Sequence, residues 1–322
     1  MSEFQKFMFE GLPVRGVVVR LTDSWQELQA RREQPLPDAV MALLGEMSAC
    51  ALLLQGNLKF EGALVMQMAG DGPVQLAVAE ARTDLSYRAT AKVTGAVPRL
   101  DSSGQFNLAD LLNVHGGGRC AITLDADDRP PGVQPYQGVV PLNDEHAARF
   151  SRLAEAVEQY MRLSEQLDTK IVLAADAHSA AGMLVQRMPL EGEANLEGRV
   201  GAEQAAELLA AFPRIAMKVA TLKPEELLGL PMDQLLHRLF WEEPLRRFDP
   251  ATPRFACTCS RERVGRMLVG LGREEIESIL AERAEVEVAC NFCGAPYRFD
   301  AVDCAQLFQA AGSVVPPQGS VQ

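Results

Sequence analysis

Four cysteines near the C-terminal end constrain the fold of this chain more than any other feature. Cys257 and Cys259 form a C-x-C pair, Cys290 and Cys293 form a C-x-x-C pair, and thirty residues separate the two. Four thiolates in short-spaced pairs are the donor set of a tetrahedral structural zinc site, with Zn–S bonds of roughly 2.3 Å. Gly294, directly after the second pair, suits the tight turn that brings backbone amides towards its sulfurs. One Zn2+ is therefore expected on Cys257, Cys259, Cys290 and Cys293. Two chemistries stay open. A plain zinc knuckle is inert unless chelated, and most four-cysteine sites are of that kind. Alternatively, metal-bound thiolates are already in the form that oxidants attack, and each cysteine has a partner close enough in sequence for a local disulfide, so the site can act as a sensor.

Charge narrows the partners. The net charge is −12, which disfavours non-specific binding to nucleic acid or to anionic membranes. From Arg254 to the end there are seven arginines and no lysine against nine acidic residues, whereas a zinc module built for DNA or RNA is basic. Neither nucleic acid nor membrane is expected as a partner. No run of about 18 apolar residues stands out as a membrane span, and the N-terminus lacks a basic region followed by a cleavable apolar segment. Seven cysteines, four of them metal-spaced, fit a reducing cytoplasm better than a disulfide scaffold.

In chain order, Val14 to Leu21 reads as a β-branched strand, and Ser24 to Glu27 as a capping box opening a helix to Arg31. Pro37 stands at the first position of a helix running to about Leu54, apolar nearly all round and hence a core helix carrying Cys50. Strands follow at Ala63 to Met68, Val74 to Ala79, Tyr87 to Val93, Cys120 to Asp125 and Tyr136 to Leu142, with a hairpin signal at Gly70-Asp-Gly-Pro73. Gly116 to Gly118 reads as a turn, because no phosphate-binding Lys-Ser/Thr follows it. Asn143 should cap a helix from Asp144 to Leu167. Strands at Lys170 to Ala175 and Met183 to Met188 follow, with Ala181-Gly182 between them. This order predicts an α+β fold: an N-terminal domain with a mixed or antiparallel sheet and helices, a helical linker, and a small C-terminal four-cysteine zinc domain.

A domain boundary is expected around Pro189 to Val200, where composition turns polar and Gly-rich, with the linker after it. Helices are expected at Glu203 to Phe212, Pro213 to Thr221, from Pro224, and at Pro231 to Trp241. Such short helices are marginal alone and must dock on a neighbour. Their apolar residues Leu227, Leu228, Leu235, Leu236, Leu239 and Phe240 are candidates for a binding surface that is buried in one state and exposed in another. Between the cysteine pairs, Arg261 to Leu271 and Glu274 to Glu282 read as helices. A module this small lacks a sufficient core, so metal affinity of about 10–16 kcal/mol counts largely as its folding energy. The boundaries expected are 1–194 for the core domain, 195–253 for the linker, 254–310 for the zinc domain and 311–322 for a disordered tail.

The chain resembles the heat-shock protein 33 family. The residues that carry the likeness include RGVVVRL at 15–21, GDGP at 70–73, YQGVVPL at 136–142, GMLVQRMP at 182–189 and LLHRLFWEE at 235–243. The most specific are CTCSRERV at 257–264 and CNFCGAPYRF at 290–299. The resemblance implies a redox-regulated, ATP-independent holdase chaperone and not an enzyme, inactive when reduced and zinc-bound. It implies disulfides Cys257–Cys259 and Cys290–Cys293 on oxidation, loss of the metal, unfolding of zinc domain and linker, and binding of unfolding proteins by a form that is often a homodimer. On that footing the sensor displaces the plain knuckle.

Two other classes remain as alternatives. A thiol–disulfide oxidoreductase would use C-x-x-C catalytically, but four thiols around one metal leave no attacking thiol, and no thioredoxin-like βαβ context precedes the pair. A constitutive zinc adaptor is disfavoured by its charge. Cys304 and Cys50 read as packed residues, and the four histidines have no ligand spacing to the cysteines.

Overall fold

The computed structural model describes residues 1–32, 34–130, 132–189 and 202–312. Its elements run β1 (Glu3–Phe9), β2 (Val14–Leu21), α1 (Asp23–Ala30), α2 (Asp38–Asn57), β3 (Gly62–Ala69), β4 (Val74–Arg82), β5 (Ser86–Val93), α3 (Leu108–Leu112), β6 (Arg119–Ala126) and β7 (Tyr136–Pro141). Then come α4 (Leu153–Leu163), β8 (Thr169–Ala175), β9 (Ala180–Arg187), α5 (Ala202–Ala220), α6 (Pro224–Gly229), α7 (Met232–Phe240), β10 (Leu245–Arg247) and β11 (Arg254–Phe255). The last are α8 (Arg261–Leu271), α9 (Arg273–Glu282), β12 (Glu285–Ala289), β13 (Pro296–Asp300) and α10 (Ala301–Gly312). The chain divides into two compact units, a large one ending at Ala256 and a small one from Cys257 onward that also takes in residues 31–33.

In the large unit a five-stranded antiparallel sheet has the order β10-β1-β2-β9-β8. A six-stranded sheet has the order β11-β5-β4-β3-β6-β7, antiparallel except for the parallel β11–β5 pair. This is the mixed α+β architecture expected. Helix α2 packs against strands of both sheets, which is why its sequence is apolar all round. By length and composition alone α2 could cross a membrane, yet 89% of its most apolar window is buried in the fold.

The five-stranded sheet is covered on both faces, so its inner strand β2 reads as a near-continuous β-branched run. One face meets α2, where the absence of a side chain at Gly45 lets Ala175 and Ala180 approach. The other face carries Phe7, Phe9, Val14, Val18, Met183 and Val185, packed against Ile215, Val219, Leu227, Leu235, Leu236 and Phe240. Phe7 lies flat across Gly16, in space that any Cβ would fill. Thus α5, α6 and α7 form a helical layer over the first sheet. Leu227, Leu235, Leu236, Leu239 and Phe240 are buried in it, and Leu228 is partly buried against it.

Several local expectations are corrected. Strand β1 was not anticipated, because Phe4 lies on the face opposite Phe7 and Phe9 and the polar residues between them break any simple alternation. Ser24 does not cap a helix; its hydroxyl is buried against those of Ser2 (2.9 Å) and Tyr87 (3.0 Å) inside α1. The helix expected from Asp144 begins only at Leu153. The Asp144 carboxylate accepts from the amides of His146 (2.9 Å) and Ala148 (2.8 Å), and Ala147 takes φ +63°, closing a tight loop instead. The true start is set by Glu155, whose carboxylate accepts from the amides of Ser151 (2.9 Å) and Arg152 (3.0 Å). Ala181 and Gly182 lie within β9 rather than between strands. Pro213 does not divide α5. An interior proline costs about 3 kcal/mol, but Ala211, Ile215, Val219 and Leu222 form one buried stripe, and apolar burial at about 1.5–3 kcal/mol for each large side chain outweighs it. Of the boundary expected at Pro189 to Val200, residues 190–200 lie outside the described residues, as do 313–322 of the expected tail, whereas Ala311 and Gly312 end helix α10 instead of opening that tail.

Candidate metal centre

The small unit is built from three helices and a hairpin. Helices α8, α9 and α10 and the β12–β13 hairpin enclose Leu268, Ile276, Val286, Phe299 and Cys304, with Val264, Tyr297 and Leu307 among those packed around them. The hairpin and α10 were not anticipated from sequence, since the strands are short and charged residues alternate along them.

Each cysteine pair sits where the backbone turns. Cys257 and Cys259 precede α8, whose N-cap Ser260 hydroxyl accepts from the Arg263 amide at 3.2 Å. Arg263 also donates to the Thr258 carbonyl at 2.8 Å and hydroxyl at 2.6 Å, holding the residue between the two thiols. Cys290 and Cys293 occupy the tip of the β12–β13 hairpin. There the Cys290 amide donates to Ala295 at 3.0 Å and the Gly294 amide to the Cys290 carbonyl at 2.8 Å. Gly294 has φ +70°, a conformation costly for any other residue type, so the turn expected after the second pair is present.

These turns bring all four sulfurs within 4.8 Å of one another. Cys257 Sγ lies 3.7 Å from Cys290 Sγ, and Cys259 Sγ lies 3.4 Å from Cys293 Sγ. A tetrahedron with metal–sulfur bonds of roughly 2.3 Å has edges of about 3.8 Å, so the residues present fit a four-thiolate metal ion. Burial, with the neighbouring thiols, pushes the Cys293 thiol up when no cation is present. A bound cation reverses that logic and holds thiols deprotonated. Tyr297, missed in the sequence, donates its hydroxyl to Cys259 Sγ at 3.1 Å. Its signal was its place directly after C-G-A-P in the second pair's run. Arg261 braces the same region, lying 4.2 Å over the Phe299 ring and donating to Asp303 at 2.6 Å. Cys50, Cys120 and Cys304 are buried elsewhere and take no part.

Gly116 to Gly118 make no anion cradle. The Gly117 amide, with that of His115 just before the stretch, is already taken by the Asp71 carboxylate (2.7 and 3.1 Å), and the Gly118 amide by the Asn113 side chain (2.8 Å).

An α+β unit joined to a small four-thiol module is the class that fold and site define. The profile of the Hsp33 protein family matches residues 2–300. The 33 kDa chaperonin of Chromobacterium violaceum is 42% identical over 307 residues, covering 95% of this chain and 94% of that protein. The 33 kDa chaperonin of Methylobacillus flagellatus is 41% identical over 322 residues, covering 100% and 98%. The solved structure of the 33 kDa chaperonin HSP33 of Thermotoga maritima superposes with a TM-score of 0.75 at 22% identity, over 97% of this chain and 99% of that one, and so shares the fold. The chain belongs to the Hsp33 family, whose members carry the names of chaperones rather than of enzymes. That membership supports a chaperone role.

Proposed function

We propose that this chain is a redox-gated, ATP-independent holdase. The observation that carries the reading is the helical layer of α5, α6 and α7, whose apolar side chains are buried only by docking on the first sheet. Helices of six and nine residues are marginal on their own, so the layer is a cover that can lift.

In the reduced state the four thiolates of Cys257, Cys259, Cys290 and Cys293 bind one zinc ion, which when bound supplies folding energy to a module with a small core. On oxidation Cys257 and Cys259 form one disulfide and Cys290 and Cys293 another, each pair giving two electrons to a peroxide-class oxidant. No thiolate then remains to organise the module, and its few buried apolar residues do not hold it folded. In this reading the chain consists of a core (1–194), a metastable linker (195–253) and a redox module (254–310). Unfolding of the module frees the linker, and Leu227, Leu228, Leu235, Leu236, Leu239 and Phe240 become accessible to unfolding client proteins. Burial of client apolar surface at about 25 cal/mol per Å² supplies the affinity. The oxidised form is a homodimer acting in the cytoplasm, and a net charge of −12 argues against nucleic acid or a membrane as its target.

Light scattering from a heat-unfolding client tests the reading. Zinc-loaded reduced protein should fail to suppress aggregation, and protein oxidised with peroxide at elevated temperature should suppress it. Equal suppression by both forms would leave a chaperone whose metal is merely structural. Insulin reduction with turnover would point to an oxidoreductase.

A further inference from the structure

Alternation along β2 places Val14, Gly16, Val18 and Arg20 on the face that the helical layer covers, and Val14 and Val18 belong to its apolar cluster. Arg20 is the charged member of that row. Its Nη2 donates to the Leu227 carbonyl at 2.9 Å and to the Leu230 carbonyl. Both carbonyls lie at the C-terminal end of α6, a helix of six residues with no basic residue in its last turn. A helix C-terminus leaves carbonyls without intrahelical donors and gathers partial negative charge. The guanidinium, on a strand some two hundred residues earlier in the chain (|i−j| 207 and 210), supplies both the donor and the charge that α6 lacks.

Apart from an ion pair at the sheet's edge between Arg247 on β10 and Asp233 on α7, the rest of the contact between layer and sheet is largely apolar and has area but no direction. Two charge-assisted hydrogen bonds from one guanidinium fix where α6 sits along the sheet. They also come with an opposing cost, because Arg20 Nε is buried without a hydrogen-bond partner. Lifting α6 returns that group to water. Such a contact holds the layer in register yet favours a clean release once the layer begins to move.

We propose that Arg20 is the latch that positions α6 on the first sheet and sets how readily the α5–α7 layer lifts. The proposal rests on the redox-gated reading for its consequence, but its test does not need that reading to hold. Hydrogen–deuterium exchange is measured on reduced, zinc-loaded full-length protein for wild type, Arg20→Met and Arg20→Lys. Methionine keeps much of the aliphatic bulk and removes the donors. Amides of α6 and α7 should exchange at least about tenfold faster in Arg20→Met, as expected for two lost charge-assisted bonds. Amides of β3, β4 and β6 should not change, and zinc content should stay the same. Arg20→Lys keeps the charge on a stem that falls short of Nη2, the one nitrogen that reaches both carbonyls, and should fall between. Wild-type exchange in α6 and α7, or an equal rise across the second sheet, would overturn the latch. If Arg20→Met does not fold, Arg20→Gln, which also lacks the charge and the reach to both carbonyls, decides in its place: unchanged exchange in α6 and α7 refutes the latch. In the scattering assay, reduced Arg20→Met should suppress aggregation partly. Failure of oxidised wild type to suppress would sink the redox reading while leaving the exchange result to judge Arg20.

Discussion

At the scale of single residues, the cysteines and one glutamate carry distinct tests. Replacing Cys293 by serine removes one of four soft donors while leaving Cys257, Cys259 and Cys290 in place. Zinc should pass to a chromophoric chelator that the wild type resists, and the variant should suppress aggregation without oxidant. A variant that stayed folded and silent would break the proposed coupling of metal to function. Glu46, on α2, has its carboxyl pushed up to about 8 by burial, with Arg152 pulling the other way. Its neutral form is therefore favoured in the folded state, so the contribution is full below the unfolded value of about 4.5 and is lost as pH rises towards 8. Urea midpoints of Glu46→Gln should lose that decline between pH 5 and 8. An unchanged slope would place the titration elsewhere. Asp23 works in the opposite sense: hydrogen bonds from Ser2 hold its carboxyl down to about 2, so its contribution is present above the unfolded carboxylate range and disappears only in strong acid.

At the scale of elements, the helical layer is the part whose packing can be tuned. Leu236 on α7 is wholly buried against the first sheet. Leu236→Ala should cost about 2–5 kcal/mol of docking and lower the oxidant exposure needed for client binding, read as the peroxide concentration giving half-maximal suppression. No shift would separate the layer from the switch. Elements also show what a sequence makes legible. The strands β2 to β7, with the hairpin at Gly70 to Pro73, could be read because their periodicity and turn chemistry are local. The four-cysteine site was equally plain, since ligand type and spacing report the metal chemistry directly. Other features depended on partners distant in sequence. Pro213 argues for a break until the stripe from Ala211 to Leu222 meets the sheet. Asn143 argues for a helix cap until Asp144 folds the next amides onto itself. Arg20 beneath α6 had no local signal at all, because it acts on carbonyls that only the tertiary fold brings close, and Tyr297 had only its place just after the second cysteine pair.

At the scale of the whole molecule, metal removal should unfold the small unit and loosen the α5–α7 layer while leaving the two sheets folded. Stripping zinc from reduced protein with a strong chelator should lower the far-ultraviolet helical signal by more than α8 to α10 alone contribute, while the sheets keep a cooperative thermal transition. A loss confined to α8 to α10 would contradict the coupling of metal to layer. The seven thiols offer a finer readout. Cys50 and Cys120 are fully buried in the sheet unit, and burial pushes Cys120 up to about 12, so both should stay silent to alkylating dyes while that unit is folded. Cys304 is different: it is packed in the core of the metal module and belongs to neither disulfide of the proposed switch. The chain thus carries a built-in reporter of its own state. A maleimide fluorophore should leave it dark in reduced, zinc-loaded protein and label it once per chain after oxidation, and the labelling rate would clock the opening of the module molecule by molecule.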